Sequence, residues 1–226
     1  MSRATRPRAA VFDAYGTLLD IHSAVARHAA RVGDKAAAVS ALWRAKQLEA
    51  TWVLSATGAY EGFDAITDRA LGFALATHGI ADDTLRADLL RAYRSLDALP
   101  DAAAALARLR DAGLATAILS NGQPDALAAA TRAAGIAPLL GGILSVHPLR
   151  RYKPHPAVYA LVTERFACQP DEVAFASSND WDAHGAARFG FRVFWINRAR
   201  QPVTYWLDEM ATILPDLAAL PDAILG

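Results

Sequence analysis

The sequence predicts an α/β protein: a Rossmann-like parallel sheet with helices on both faces, interrupted by an inserted bundle of helices. Two observations carry this. From Pro100 onward, short apolar runs alternate with helical segments, the pattern of βαβ units. Before that, one apolar run near the start is cut off from the others by a long stretch with helical periodicity only.

The chain has 226 residues. At about 150 residues per typical domain, that is one large domain or a core with a substantial insertion. The core is expected over 1–19 and 99–226, and the helical insertion over 20–98. Residues 9–12, AAVF, read as a buried strand that stops at Asp13, with Gly16 supplying a permissive turn. Residues 41–54 place Leu42, Ala45, Leu48 or Glu49, and Trp52 at helical spacing. Residues 63–78 and 82–96 continue as helices, with Asp82 or Asp83 as N-cap, and no strand is expected between 20 and 98. An Ala-rich helix then ends at Gly113, followed by a strand at 114–120, a helix at 125–135 and a strand at 141–146. A helix at 155–166, a strand at 173–177, a helix at 181–190 and a strand at 191–197 complete the alternation. The last 25 residues read as a closing strand, turn and helix.

Composition narrows the function. Apolar residues make up 54 % of the chain and charged ones 20 %, which excludes disorder. Lys and Arg number 23, as do Asp and Glu, so a general basic field for nucleic acid is absent. No apolar stretch is long enough to span a membrane, and the Arg-containing start, MSRATRPR, lacks the apolar core of a signal peptide, so a cytoplasmic protein is expected. Cys168 stands alone, which excludes an intramolecular disulfide, and it reads as a structural thiol. No GxGxxG follows the first strand, which disfavours a dinucleotide binder.

In open parallel sheets, ligands sit beyond the carboxyl ends of the strands. Three apolar strands end there in polar residues: Asp13, then Ser120 with Asn121 and Gly122, then Ser177 with Ser178 and Asn179. A fourth leads within a few residues to Lys153. Each feature alone is an ordinary cap or loop; their gathering at one sheet edge points to a shared polar pocket.

The segments FDAYGTLLD (12–20), LSNG (119–122), YKPHPAVY (152–159) and FASSNDWDAHGA (175–186) resemble, in order and spacing, the four motifs of the haloacid dehalogenase superfamily. Within it, the chain is similar to the L-2-haloacid dehalogenases. WRAKQLEATW (43–52) and YEGF (60–63) resemble that branch's helical cap. The resemblance implies a nucleophilic Asp13 that displaces halide from C2 of a short 2-haloalkanoate with inversion, giving an ester that water hydrolyses. An (S)-substrate then yields an (R)-2-hydroxy acid.

The same resemblance assigns the partners. Arg44 would accept the halide, with Asn179 as a donor beside it. Ser120, with backbone N–H groups near Tyr15 and Asn121, would seat the substrate carboxylate. Lys153 would hold Asp13 ionised; Thr17 would hydrogen-bond Asp13, and Ser177 would orient Lys153 or Asp13. Asp182 would hold Lys153 and position water. Tyr159 resembles the family's active-site tyrosine, while Tyr15, Leu48, Phe63 and Trp181 resemble the apolar wall of the pocket. Ala45 and His184 depart from the family pattern, His184 in a way that bears on the halide end. The superfamily's phosphatases carry a second Asp where this chain has Tyr15, and Gly-Asp where it has Ser177-Ser178. A metal site and a cofactor are therefore not expected. A Mg²⁺-dependent phosphatase or phosphonate hydrolase, and a silent small-anion binder, are the alternatives. The family also suggests a homodimer.

Overall fold

The first strand, β1 (Ala9–Phe12), is apolar at every position rather than alternating, and a strand of that kind must be covered on both sides. In the computed structural model, which describes residues 7–226, all four of its residues are buried. Residues 1–6, the first part of the Arg-containing start, lie outside the described residues. The other strands of the main sheet are β4 (Ala115–Ser120), β5 (Gly142–Ser145), β6 (Val173–Ser177), β7 (Arg192–Ile196) and β8 (Ala211–Leu214). Their order is β5-β4-β1-β6-β7-β8, and every neighbouring pair is parallel.

Four helices of the core connect these strands: α6 (Ala102–Asp111), α7 (Pro124–Ala133), α8 (Pro156–Phe166) and α9 (Asp180–Phe189). The chain moves outward from β1 through β4 to β5, then returns across to β6 and β7. Right-handed crossovers in opposite directions put α6 and α7 on one face and α8 and α9 on the other. The two short closing helices are α10 (Leu207–Met210) and α11 (Leu220–Leu225), and Asp222 of α11 pairs with Arg108 of α6 at 2.6 Å. The direction reverses at β1, so β1 with its neighbours β4 and β6 forms the switch point at which a crevice opens.

Between β1 and α6 lie two short helices, α1 (Ser23–Ala26) and α2 (Ala29–Val32), and three longer ones, α3 (Ala36–Ala56), α4 (Phe63–Thr77) and α5 (Asp83–Tyr93). Asp82 caps α5 by accepting from the Leu85 N–H at 2.8 Å. The expectation of no strand in this stretch needs correction. Two-residue strands β2 (Leu19–Asp20) and β3 (Asp97–Ala98) pair antiparallel where the chain leaves the sheet and returns to it. Such a pair is too short to leave a periodic signal.

The helical segment meets the core through specific bonds. Arg94 pairs with Asp64 of α4 at 2.8 Å and with Asp125 of α7 at 2.6 Å. Gln123 Oε1 accepts the Asp64 N–H at 3.0 Å, and the Tyr152 hydroxyl donates to the Glu61 carbonyl at 2.5 Å. Among the described residues, no helix is long and apolar enough to cross a membrane. Cys168 is half-buried, and burial together with nearby Glu172 pushes its thiol up, which disfavours the reactive thiolate.

Candidate active site

Asp13 follows β1, where Phe12 is in register with Ile118 of β4 and Ala176 of β6. Its N–H still donates to the Ala176 carbonyl at 2.9 Å, so the ladder fixes its backbone just past the last strand residue. Gly16 then turns the chain at a φ of 89°, a conformation that a Cβ would strain. The turn brings Thr17 back beneath Asp13. Thr17 Oγ1 donates to Asp13 Oδ2 at 3.2 Å and accepts the Ser178 N–H at 2.8 Å, joining the β1 and β6 loops.

Lys153 is 1 % exposed, and its ammonium lies between two carboxylates, 3.0 Å from Asp13 Oδ1 and 2.8 Å from Asp182 Oδ2. Asp182 enters from the first turn of α9 and is fully buried. Its Oδ2 also accepts from Ser177 Oγ at 3.0 Å, and its Oδ1 from the Tyr159 hydroxyl at 2.8 Å. A buried cation between two anions is tolerated because each charge has a bonded counterpart. Burial pulls the Lys153 pKa down, but Asp13 and Asp182 more than offset it, leaving the ammonium above the ordinary lysine value. Asp182 ends above the usual carboxylate range because burial outweighs the Lys153 charge. Burial likewise drives Tyr159 well above its ordinary value, so its hydroxyl keeps the proton it donates.

Several expected contacts differ in detail. Ser177 bonds Asp182, not Lys153 or Asp13. The Asn179 amide N–H is committed to Asp13 Oδ2 at 2.8 Å, and its carbonyl oxygen, 3.5 Å from Arg44 Nη2, faces the guanidinium. Asn179 thus orients the carboxylate rather than offering a donor beside Arg44. His184 Nδ1 is 2.9 Å from the Tyr205 carbonyl. Ser120 is fully buried and accepts the Gly122 N–H at 3.2 Å. Asn121 Oδ1 accepts the Lys153 N–H at 3.0 Å, which ties the lysine's backbone to the end of β4.

Arg44 reaches the site from α3, and its Nη2 is 3.4 Å from the Tyr15 carbonyl. Leu48 lies one turn further along α3 and is half-buried. Tyr15 stacks on Phe63 at 5.7 Å and on Tyr93 at 5.5 Å. Trp181 meets Trp52 edge-on at 5.5 Å. The sequence reasoning missed Gln47, whose Oε1 accepts from Arg44 Nη1 at 2.8 Å and from the Tyr93 hydroxyl at 3.2 Å. Its Nε2 donates to Thr67 Oγ1 at 2.7 Å. The three-residue offset from Arg44 on one helix face was the available signal. Among the described residues, no group of three or more His, Cys, Asp or Glu side chains is arranged to hold a metal ion.

A parallel sheet carrying a carboxylate at its switch point, with a second carboxylate sharing the same lysine, defines an α/β protein with a candidate carboxylate nucleophile. The haloacid dehalogenase-like hydrolase family matches residues 7–190, and the chain belongs to that family. It is 44 % identical over 219 residues to (S)-2-haloacid dehalogenase 1 of Pseudomonas sp. (strain CBS-3), covering 96 % of each chain. A crystal structure of a dehalogenase with an intermediate complex matches with a TM-score of 0.94 and 43 % identity, over 96 % of this chain and 97 % of the other. The L-2-haloacid dehalogenase of Xanthobacter autotrophicus, with chloropropionic acid covalently bound, matches with a TM-score of 0.86 and 37 % identity, over 97 % and 99 %.

Proposed function

We propose that the protein hydrolyses short (S)-2-haloalkanoic acids to (R)-2-hydroxyalkanoic acids and halide through an ester on Asp13. The observation that carries this reading is the Lys153 ammonium shared by Asp13 and Asp182. One carboxylate is held against the lysine as a nucleophile, and a second, raised above the usual carboxylate range by its burial, is held beside it. The dehalogenase relatives, and the covalently bound chloropropionic acid in one of them, support the same chemistry.

In the first step an Asp13 oxygen attacks C2 from the side opposite the halogen. The carbon–halogen bond breaks with its electron pair leaving on the halide, and C2 inverts. Thr17 and Asn179 orient the attacking group through their bonds to Oδ2. Arg44 stabilises the departing halide, the role of a fixed cation at the leaving group. The Ser120–Asn121 turn seats the substrate carboxylate, and Tyr15, Leu48, Phe63 and Trp181 surround its carbon chain. Helices within 20–98 act as a cap that delivers Arg44 and this apolar wall.

In the second step water adds to the Asp13 carbonyl carbon while Asp182 takes its proton. Ser177 and Tyr159 hold Asp182 in place. The acyl–oxygen bond then breaks with its electron pair on the C2 oxygen, which takes up the proton held by Asp182; the hydroxy acid leaves, and loss of the water's second proton to solvent returns Asp13 as the carboxylate. C2 is not touched again, so a single inversion survives. Halide is a weak base and needs no proton donor, and Tyr15 stands where the phosphatases carry their acid.

The test is halide release from (S)- and (R)-2-chloropropionate in EDTA, with Asp13→Asn as control. Release from the (S) form alone, lost in the variant, is expected. No release from either form would sink the proposal. A single turnover in H₂¹⁸O should place the label in Asp13 and leave the first product unlabelled.

A further inference from the structure

Seven arginines lie between residues 20 and 98, and six of them, Arg27, Arg31, Arg69, Arg86, Arg91 and Arg94, pair with a carboxylate. Arg44 is the exception. Among the described residues, no carboxylate oxygen lies within 4.0 Å of its guanidinium nitrogens. The oxygens it bonds are all neutral: the Gln47 side chain at 2.8 Å, the Tyr15 carbonyl at 3.4 Å and the Asn179 side chain at 3.5 Å. Of these, only the Gln47 contact has ordinary hydrogen-bond length. A half-buried cation thus keeps its charge unneutralised, with one amide holding it in place.

That amide has a single orientation. An arginine donates and cannot accept, so Gln47 must turn Oε1 toward Arg44 and Nε2 away. The surroundings impose the same choice. The Tyr93 hydroxyl donates to Oε1 at 3.2 Å, while Nε2 donates to Thr67 Oγ1 at 2.7 Å. Thr67 Oγ1 directs its own proton to the Phe63 carbonyl, at 2.7 Å, so it presents a lone pair to Gln47. Burial lifts the Tyr93 phenol above its ordinary value, against the nearby Arg44 charge, so Tyr93 stays a donor. Gln47, Thr67 and Tyr93 are all buried, which keeps water from competing for these bonds.

A glutamate at this position could hold the guanidinium as well as glutamine does. Its charge would oppose the attraction between Arg44 and an anion, an attraction that is strong away from bulk water. We infer that Gln47 is a positioning residue for the leaving-group end of the reaction: its neutral amide, oriented by Thr67 and Tyr93, aims Arg44 while leaving its charge for the halide. The inference rests on the dehalogenase reading above, which assigns the halide to Arg44. It adds that the neutrality of residue 47, and the Thr67 hydroxyl behind it, determine how well a poor leaving group is expelled.

The two half-reactions separate this role from a structural one. Arg44 acts on carbon–halogen cleavage and not on the ester, so single-turnover rates of both steps are measured with (S)-2-chloropropionate and (S)-2-bromopropionate. Gln47→Glu keeps an acceptor for Arg44 and Tyr93, and the Thr67 hydroxyl can turn to the second oxygen; its melting temperature checks folding. Ester formation should slow by about 10²-fold, the effect of losing one preorganised group at a developing charge. The loss should be larger for chloride than for bromide. Ester hydrolysis should be unchanged, and bromide should weaken as a product inhibitor.

Thr67→Val, which removes the acceptor for Nε2, should slow ester formation by about tenfold, since a misplacement of about 1 Å can cost up to 10²-fold. Thr67→Ser, which keeps the hydroxyl, should restore the rate. Equal slowing of both steps in Gln47→Glu or Thr67→Val would mark a structural role and overturn the inference, as would an unmoved first step in either. If Gln47→Glu does not fold, the Thr67 pair decides alone. Absence of bromide from 2-bromopropionate with the unmodified protein would remove the dehalogenase reading itself. Bromide release that the variants leave unmoved would remove only the role of Gln47.

Discussion

Asp182 holds the Lys153 ammonium at 2.8 Å, yet its carboxyl sits above the usual range because it is fully buried. Burial and pairing thus oppose each other in one residue. The result is a carboxylate more basic than a surface aspartate and positioned next to Asp13.

Asp182→Asn separates these effects. The raised pKa means that ionised Asp182 is penalised in the fold; the penalty is absent below the unfolded carboxylate value near pH ~4 and grows as pH rises toward the folded one. Asn removes that penalty at neutral pH and leaves Lys153 paired with Asp13. The Tyr159 hydroxyl can turn its proton to the Asp182 carbonyl, 3.2 Å away, and accept from the new amide. The variant is expected to melt within about 3 °C of the unmodified protein, equivalent to roughly 1 kcal/mol. Ester hydrolysis should slow by about 10²–10⁴-fold, the range for a lost general base. Intact mass spectrometry after mixing with 2-chloropropionate should then show the adduct accumulating on Asp13.

The same basicity sets an acid limb. With Asp182 as the proposed base, ester hydrolysis needs its ionised form, so single-turnover rates of that step should fall as pH drops through a value above that of a surface carboxylate, about 3.9. A limb at or below that value would contradict the assignment of the base.

Arg44 and Gln47 should respond in opposite ways. Arg44 is half-buried, and its contacts with Tyr15 and Asn179 are long, at 3.4 and 3.5 Å. Arg44→Ala is expected to cost under about 1 kcal/mol of stability but about 10²–10³-fold in halide release. Gln47→Leu strands the buried Tyr93 hydroxyl, a loss of about 1–3 kcal/mol, and frees Arg44 to wander. Urea melts and initial rates on the two variants should show this crossover.

Gly185 in α9 constrains Tyr159 and, through it, Asp182. A Cβ there would stand 2.5 Å from the Tyr159 hydroxyl oxygen and 2.6 Å from Pro154 Cβ. Alanine is the better helix former by about 1 kcal/mol. Gly185→Ala should nevertheless destabilise by about 1–3 kcal/mol through overpacking, and should slow ester hydrolysis by displacing Tyr159 from Asp182.

Away from the site, Asp101 anchors the closing segment. It accepts from Arg198 at 2.6 and 2.8 Å and from the Leu217 N–H at 2.8 Å. Burial raises its pKa, but the Arg198 and Leu217 bonds outweigh this and hold it below the usual range. Its contribution is therefore present above the unfolded carboxylate value and lost as pH falls through the folded one. Asp101→Asn should cost about 1–3 kcal/mol at pH 7, and the gap to the unmodified protein should close below about pH 4.

The sheet and its polar edge were legible because β1, β4 and β6 are apolar runs that stop abruptly, and burial on both faces demands that pattern. Lys153 was legible only through its motif, since a lysine in a loop is otherwise a solvated one. Gln47 was hidden because a polar residue on a helix reads as an exposed face, whereas here it is 1 % exposed. The direction of the Asn179 amide and the partner of Ser177 depend on side-chain rotation across loops, about which spacing carries no information. The β2–β3 pair left no signal because two residues have no period.

That small ladder has a consequence for how this architecture can vary. Leu19 faces Ala98 and Asp20 faces Asp97, so the entry and exit of the helical segment are pinned side by side. To the sheet, everything from residue 21 to residue 96 is a single loop whose ends are already joined. Lengthening such a loop is inexpensive: doubling it adds only about 0.6 kcal/mol of closure entropy. Length can therefore be added within this segment with little effect on the strands, so long as Arg44 keeps its place against Tyr15 and Asn179 and Arg94 its bond to Asp125.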